Sequence, residues 1–377
     1  MSKENPLIEL KKAGQSFWYD NISREFISSG QLKSMIDNDG LLGITSNPSI
    51  FYKSIKNGKE YDKQMAELFK TPEVTPKEVF YGLEIKDIVD AAAVMYPVYE
   101  ATKGVDGYVS IEVDPNFASD VQTTISEALD LFKRINRPNI MIKVPATKEG
   151  VEAVRELTAQ GVNVNVTLLF SVKRYEDAVM AYIEGLEEAL KRGGSIADTA
   201  SVASFFISRI DTAIDKIFDA RINATTNPDE KDWIESLKGK ASVAYAKSAY
   251  QSMVALFSTE RFLALKQRGA RVQRLLWAST STKNPAYSDT LYVDSLIGPQ
   301  TINTMPHETV IAFKDHGTVQ RTVDQGLDDA SDILDDMSDL NINLDVVTAM
   351  LEEDGVRLFV EAFNSILDLI EEKKSAI

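Results

Sequence analysis

Short apolar runs alternate along the chain with longer stretches in which apolar positions recur every three to four residues. The runs at residues 16–20, 41–45, 108–113, 140–145, 162–169, 202–207, 274–278 and 309–312 are rich in β-branched residues and mostly apolar. Parallel strands buried on both faces have that composition. Residues 76–99, 121–135, 150–159, 172–190 and 240–265 carry a helical period between them. Strand and helix alternating in this way predict an α/β fold, a (β/α)8 TIM barrel. No Gly-x-Gly-x-x-Gly follows the first strand, which weighs against an open, doubly wound sheet.

Two stretches exceed a minimal barrel. Residues 220–240 contain Asn227-Pro228-Asp229-Glu230 and many charges, and predict a surface helical excursion after the sixth strand. Residues 319–374 place Leu327, Ile333 and Met337, then Phe359, Phe363, Ile366 and Ile370, at helical spacing. They predict additional C-terminal helices that cover the barrel, with a subunit contact as the alternative. Neither a repeat nor a linker divides the 377 residues, so one domain is expected, as a monomer or homodimer.

Composition narrows the chemistry. There is no cysteine, and His307 and His316 are the two histidines. Thiolate nucleophiles, disulfides and cysteine-based metal sites are excluded, and a site of several histidines is not expected. No dense acidic motif points to a bound divalent cation, so no metal is expected. No apolar run approaches the roughly 18 residues that span a bilayer. The start, Met1-Ser2-Lys3-Glu4-Asn5-Pro6, lacks the apolar core of a signal peptide, and a cytoplasmic protein is expected. The net charge of −16 disfavours nucleic acid and anionic membranes as partners. An anionic substrate would need a locally basic pocket.

Catalytic groups in such a barrel sit where strands end. Lys143 stands alone in the apolar fourth strand, Ile140-Met141-Ile142-Lys143-Val144-Pro145. Burial strips an ammonium of water and favours the free amine, which can attack a ketone; a salt-bridged strand lysine is the plainer reading. Glu112 in the third strand is an acid–base candidate or an ion-pair partner of a neighbouring strand. Asp20 ends the first strand and is either a proton acceptor or the cap of the next helix, a role open equally to Asn21 or Ser23. Asn47 precedes Pro48 at the end of the second strand, a turn signal that also aims an amide at the barrel mouth. Asn163, Asn165 and Thr167 share one face of the fifth strand. Arg209 closes the sixth strand and Lys283 follows the seventh, two cations placed where many barrels hold phosphate.

Taken together these segments resemble the transaldolase family in its longer bacterial form, within the Schiff-base class I aldolases. Gly43-Ile44-Thr45-Ser46-Asn47-Pro48-Ser49, Ile142-Lys143-Val144-Pro145-Ala146-Thr147, Asn163-Val164-Asn165-Val166-Thr167-Leu168-Leu169-Phe170-Ser171 and Ser201-Val202-Ala203-Ser204-Phe205-Phe206-Ile207-Ser208-Arg209 carry the resemblance. It implies a cofactor-free reaction of the pentose phosphate pathway. A dihydroxyacetone unit passes from sedoheptulose 7-phosphate to glyceraldehyde 3-phosphate, giving erythrose 4-phosphate and fructose 6-phosphate. By the resemblance Lys143 forms the Schiff base and Asp20 handles the C4 hydroxyl proton. Glu112 and Thr167 position a proton-carrying water. Asn47 and Asn165 hold the dihydroxyacetone hydroxyls, while Ser204 and Phe206 line the pocket. Arg209 binds phosphate with the help of Ser281. Lys283 departs from the shorter members, which carry arginine there; lysine supplies the charge without a bidentate fork.

Two other readings compete. The related fructose-6-phosphate aldolases release the three-carbon unit, but place a tyrosine at the position of Phe206. A non-catalytic sugar-phosphate-binding protein would keep Arg209 and Lys283 without needing Lys143, Glu112 and Asp20 together.

Overall fold

Eight parallel strands close on themselves in chain order in a computed structural model that describes residues 5–374. They are β1 (Gln15–Asp20), β2 (Gly43–Thr45), β3 (Tyr108–Glu112), β4 (Ile140–Pro145), β5 (Val164–Leu169), β6 (Ser201–Phe206), β7 (Arg274–Ala278) and β8 (Thr301–Met305). Each pairs with the next, and β8 closes on β1. Helices run back between them, so the fold is the expected (β/α)8 barrel with additional helices. Of the leaderless start expected from the sequence, residues 1–4 lie outside the described residues.

The eighth strand is not where the apolar pattern put it. Residues 309–312 lie inside the helix His307–His316, and β8 is the more polar Thr301-Ile302-Asn303-Thr304-Met305. Thr309-Val310-Ile311-Ala312 is β-branched, which reads as strand. Its burial instead follows a helix: Val310 and Phe313 pack inward while Ile311 is 56% exposed. β8 is masked by the polar Thr301 and Asn303, whose buried side chains hydrogen-bond with Gln15 and Thr280. The helix expected over 240–265 is also two helices, Ala241–Phe257 and Glu260–Lys266. Thr259 caps the second by accepting from the Phe262 amide.

The motifs explain how strand ends become helix starts. After β4, Thr147 caps Lys148–Ala159 by accepting from the Gly150 amide at 2.9 Å. After β5, Ser171 caps Val172–Lys191 in the same way. Pro76–Ala101 opens on a capping box between Thr75 and Glu78. Each cap supplies an acceptor to an otherwise unsatisfied first-turn amide, worth about 1 kcal/mol.

One end of the barrel is plugged. Trp18 lies against Gly43, where a Cβ would come within 2.3 Å of the indole. Beside it Arg274 pairs with Asp106 at 3.0 Å and donates to Ser16 at 2.6 Å, all buried. Removing either partner would strand the other charge, at roughly 3–5 kcal/mol.

The residues beyond a minimal barrel form Pro228–Leu237 after the sixth strand's helix, and Leu327–Asp339 and Leu344–Lys374 at the end. Leu344–Lys374 packs across Pro48–Asn57 and Pro76–Ala101. Phe363 meets Phe80 edge-on at 5.4 Å, and Ile366 and Ile370 are fully buried. Gly355 lets this helix approach β5: a Cβ there would sit 3.1 Å from Leu168 and 3.2 Å from Phe170. Leu168 has φ +59°, and the β5–β6 register shifts between Val166 and Leu169. A left-handed non-glycine residue costs on the order of 1–3 kcal/mol and persists only where packing enforces it. Here the kink follows directly on Thr167.

Candidate active site

At the open end, the strand termini enclose a cavity of about 250 Å³. Lys143, Asp20, Asn47, Thr167, Ser204, Phe206, Arg209, Ser281 and Lys283 all reach its wall. Glu112 and Asn165 do not; both are buried behind the wall. A larger groove of about 570 Å³ opens beyond Asp20 and Asn47 toward Lys53 and His307, and contains neither Lys143 nor Arg209. The smaller cavity is therefore the one with the chemistry.

Sheet register sets the centre. Glu112 is the pairing partner of Lys143, and Lys143 that of Asn165, so the three side chains lie in one row across β3, β4 and β5. Lys143 is 5% exposed. Its Nζ donates to the Ser46 carbonyl at 2.8 Å and lies 3.6 Å from Glu112 Oε2, an ion-pair distance too long for a hydrogen bond. Burial pushes the Glu112 carboxyl up to about 7, opposed by the Lys143 charge and aided by Asp20. Both Glu112 oxygens and Thr167 Oγ1 are buried without a protein hydrogen-bond partner. Buried polar groups normally find partners, so this trio beside an amine suits a small polar molecule.

Asp20 is not a helix cap, because Ser23 accepts from the Phe26 amide at 3.1 Å and serves there. The Asp20 carboxylate instead accepts from Thr45 Oγ1 at 2.7 Å, and Thr45 contacts Thr304 of β8 at 2.6 Å. Burial raises the Asp20 carboxyl above the usual range; the Lys143 charge and the Thr45 hydrogen bond pull the other way. Asn47 does cap a helix: its Oδ1 accepts from the Ile50 amide at 3.1 Å. That duty fixes the side chain and leaves its NH2 to donate into the cavity. Asn165 donates to Ser110 Oγ at 3.2 Å and accepts from Ser204 Oγ at 2.7 Å, which locks its amide orientation. Asn163, on the same strand face, is tied to the Pro138 and Ile140 carbonyls and the Ala200 amide, away from the cavity.

Two cations sit on the opposite wall. Arg209 is the second residue of the helix Ser208–Ala224 and lies over the Phe206 ring at 5.4 Å. Lys283 donates to Ser281 Oγ at 2.6 Å. Among the described residues neither forms a salt bridge. Two cations without a salt-bridge partner among the described residues, sharing a cavity in a protein of net charge −16, suit an anion. An amine with a carboxyl in reach, a second carboxyl nearby and an anion site opposite can support imine chemistry on an anionic carbonyl compound.

A family model described as transaldolase/fructose-6-phosphate aldolase matches residues 17–370. The chain belongs to this family. It is 47% identical to a transaldolase of Trichodesmium erythraeum, over 98% of this chain and 97% of that protein. It is 43% identical to a transaldolase 2 of Nostoc punctiforme over 98% and 97%, and 45% identical to a transaldolase of Mycobacterium tuberculosis over 97% of each.

Several residues around Lys143 carry no signal in the sequence. Phe359, on the C-terminal helix, lines the cavity with its ring 5.9 Å from Lys143 Nζ. From the sequence it was one apolar position in a helical period, with no signal of where that helix would dock. Thr304 belongs to the strand that the apolar pattern misplaced. The Ser46 carbonyl acts through its backbone, which no residue type reveals.

Proposed function

We propose that the chain is a transaldolase that moves a dihydroxyacetone unit between phosphorylated sugars through an imine on Lys143. The observation that carries this reading is the buried Lys143 amine beside the unpartnered oxygens of Glu112 and Thr167, opposite two unpaired cations. In this reading the phosphate of sedoheptulose 7-phosphate or fructose 6-phosphate binds Arg209, Lys283 and Ser281. The C2 ketone then meets Lys143. Glu112 takes a proton from the ammonium, Nζ attacks C2, and water leaves the carbinolamine with a proton carried through a water held by Glu112 and Thr167. Asp20 takes the C4 hydroxyl proton as the C3–C4 bond breaks, and its electron pair flows into the iminium to give an enamine. The aldose leaves. Asn47 and Ser204 hold the three-carbon unit, with Asn165 orienting Ser204 from behind the wall, until another aldose enters and the steps reverse. No cofactor or metal takes part.

Transfer is favoured over release by Phe206, whose ring packs on Phe170 at 5.2 Å and offers no hydroxyl to a hydrolytic water. Incubating the protein with fructose 6-phosphate and erythrose 4-phosphate should yield sedoheptulose 7-phosphate. Without an acceptor, little free dihydroxyacetone should form. Phe206→Tyr should raise that release roughly tenfold or more by helping to place a water. Copious dihydroxyacetone from the unaltered protein would assign the aldolase activity instead.

Glu112 adds a pH signature. Its carboxyl is raised to about 7, so it is protonated below that pH and ionised above it. The ionised form is the one that takes the proton from the Lys143 ammonium, and that same proton is returned as water leaves, so imine trapping by borohydride should slow as pH falls through 7. Glu112→Gln should remove that limb and slow trapping by roughly a hundredfold. An unchanged limb in the variant would move the proton-carrying role elsewhere.

The same reading makes the chain a cytoplasmic, one-domain enzyme, monomer or homodimer, with no nucleic-acid partner. Among the described residues no helix is long and apolar enough to cross a membrane.

A further inference from the structure

The two cations of the anion site arrive on different segments. Arg209 lies in the first turn of the helix Ser208–Ala224, whereas Ser281 and Lys283 sit in the stretch after β7, where residues 279–290 form neither helix nor strand. Lysine is a point charge on a flexible stem, so its position relative to Arg209 depends on what anchors that stretch.

The anchors lie on Arg209's own helix. Asp211 and Asp215, four residues apart, are 1% and 8% exposed. Asp211 accepts from the Ser242 amide at 2.7 Å, the Ser242 hydroxyl at 2.8 Å and the Tyr292 hydroxyl at 2.9 Å. Asp215 accepts from the Gly239 amide at 3.1 Å and the Tyr287 hydroxyl at 2.7 Å. Tyr287 and Tyr292 follow Lys283 in the irregular stretch and the short helix behind it. At the other end, the Ser208 amide donates to the Ser279 carbonyl at 3.1 Å, where Ser279 has φ +55°. The stretch is thus tied to one helix before and after Lys283. Thr282 Oγ1 closes it internally on the Ser288 carbonyl at 2.8 Å.

The excursion after the sixth strand contributes as well. Pro228–Leu237 leads into Gly239, whose φ of +71° suits glycine and whose Cβ, if present, would lie 2.7 Å from the Tyr287 ring. The Gly239 amide occupies one oxygen of Asp215, leaving the other for Tyr287.

We propose that Asp211 and Asp215 are positioning residues that, through Tyr292 and Tyr287, set the placement of Lys283 against Arg209 and so determine selectivity for the phosphate end of the sugar. This deepens the phosphate-site reading given above and rests on it. A buried carboxylate is costly unless it is hydrogen-bonded, and charged hydrogen bonds to a hydroxyl are among the stronger ones. Both carboxylates direct one such bond at the stretch that bears Lys283.

Tyr287→Phe removes one hydroxyl from a partly exposed ring. KM for fructose 6-phosphate should rise roughly tenfold, as should the inhibition constant of inorganic phosphate, with kcat within about twofold. Borohydride trapping of phosphate-free dihydroxyacetone on Lys143 should be unchanged. Tyr292→Phe should act in the same direction, and Tyr287→Phe combined with Asp215→Asn should be no worse than the more affected single variant. Arg209→Ala and Lys283→Ala serve as references. If these weaken phosphate inhibition while both tyrosine variants leave it intact, the positioning role fails and the phosphate site stands. If the reference variants leave phosphate inhibition unchanged, the phosphate reading and the proposal fall together. Equal losses for fructose 6-phosphate and dihydroxyacetone would mark a general structural defect and also overturn the proposal.

Discussion

Lys143→Met should lose all covalent capture of substrate and at least about 10⁴-fold of turnover, because Lys283, the other lysine of the cavity, forms no ion pair with a carboxylate among the described residues that could take its proton. In the unaltered protein, borohydride with fructose 6-phosphate should leave a reduced adduct on the peptide that contains Lys143. Lys143→Arg should be equally inactive, since a guanidinium does not yield a free nucleophile near neutral pH. The variants should still fold. Glu112 is buried and already pushed up to about 7, with Lys143 the main influence pulling it down. Once that charge is gone the carboxyl stays protonated, which spares the fold an uncompensated buried anion. The methionine side chain fills much of the vacated volume. Circular dichroism and thermal melting separate misfolding from loss of chemistry. An adduct on another residue, or turnover in a folded Lys143→Met protein, would overturn the nucleophile assignment.

The parts legible in the sequence were those where one residue type breaks a pattern. Lys143 interrupts an apolar strand, and the strand was placed at residues 140–145 as observed. Asn165 and Thr167 share a parity on β5, which put them on the barrel's inner face. The parity did not say that Asn163 would serve the fold and Asn165 would lie behind the cavity wall, since that depends on which neighbours fill each layer. Glu112 showed only that it was misplaced among aliphatics; its pairing with Lys143 depends on strand register, which is set between strands 31 residues apart. β8 was lost because its side chains are polar for the sake of buried partners, Gln15 and Thr280 among them, while an amphipathic helix nearby offered a β-branched decoy. Phe359 lay out of reach for a different reason. A helix period predicts a buried face but not the surface it meets, and this one meets both β5 and the mouth of the cavity.

Asp20→Ala should separate the two halves of the reaction. Imine formation depends on Lys143 and Glu112, so borohydride trapping with fructose 6-phosphate should persist. Cleavage of C3–C4 needs a base at the C4 hydroxyl, and its loss should slow turnover by roughly 10²–10⁴-fold. Asp20→Asn should behave alike, since an amide keeps the shape and the Thr45 contact but cannot take a proton. The environment of Asp20 fits a group that must both accept and return a proton. Burial raises its carboxyl above the usual range, while the Lys143 charge and the 2.7 Å bond from Thr45 pull the other way. Thr45→Val removes that bond, so the carboxyl should rise and the acidic limb of turnover should move to higher pH, with imine trapping unaffected. The direction follows because below its pKa the group is protonated and cannot act as the base, so a raised pKa extends the inactive range upward. The cavity decides whether this division of labour holds: Asp20 ends β1, whereas Glu112 and Lys143 sit side by side on β3 and β4. If Asp20→Ala abolished trapping as well, Asp20 would belong to imine formation and Glu112 would have to be reconsidered as the cleavage base. Normal turnover in that variant would remove Asp20 from the chemistry altogether.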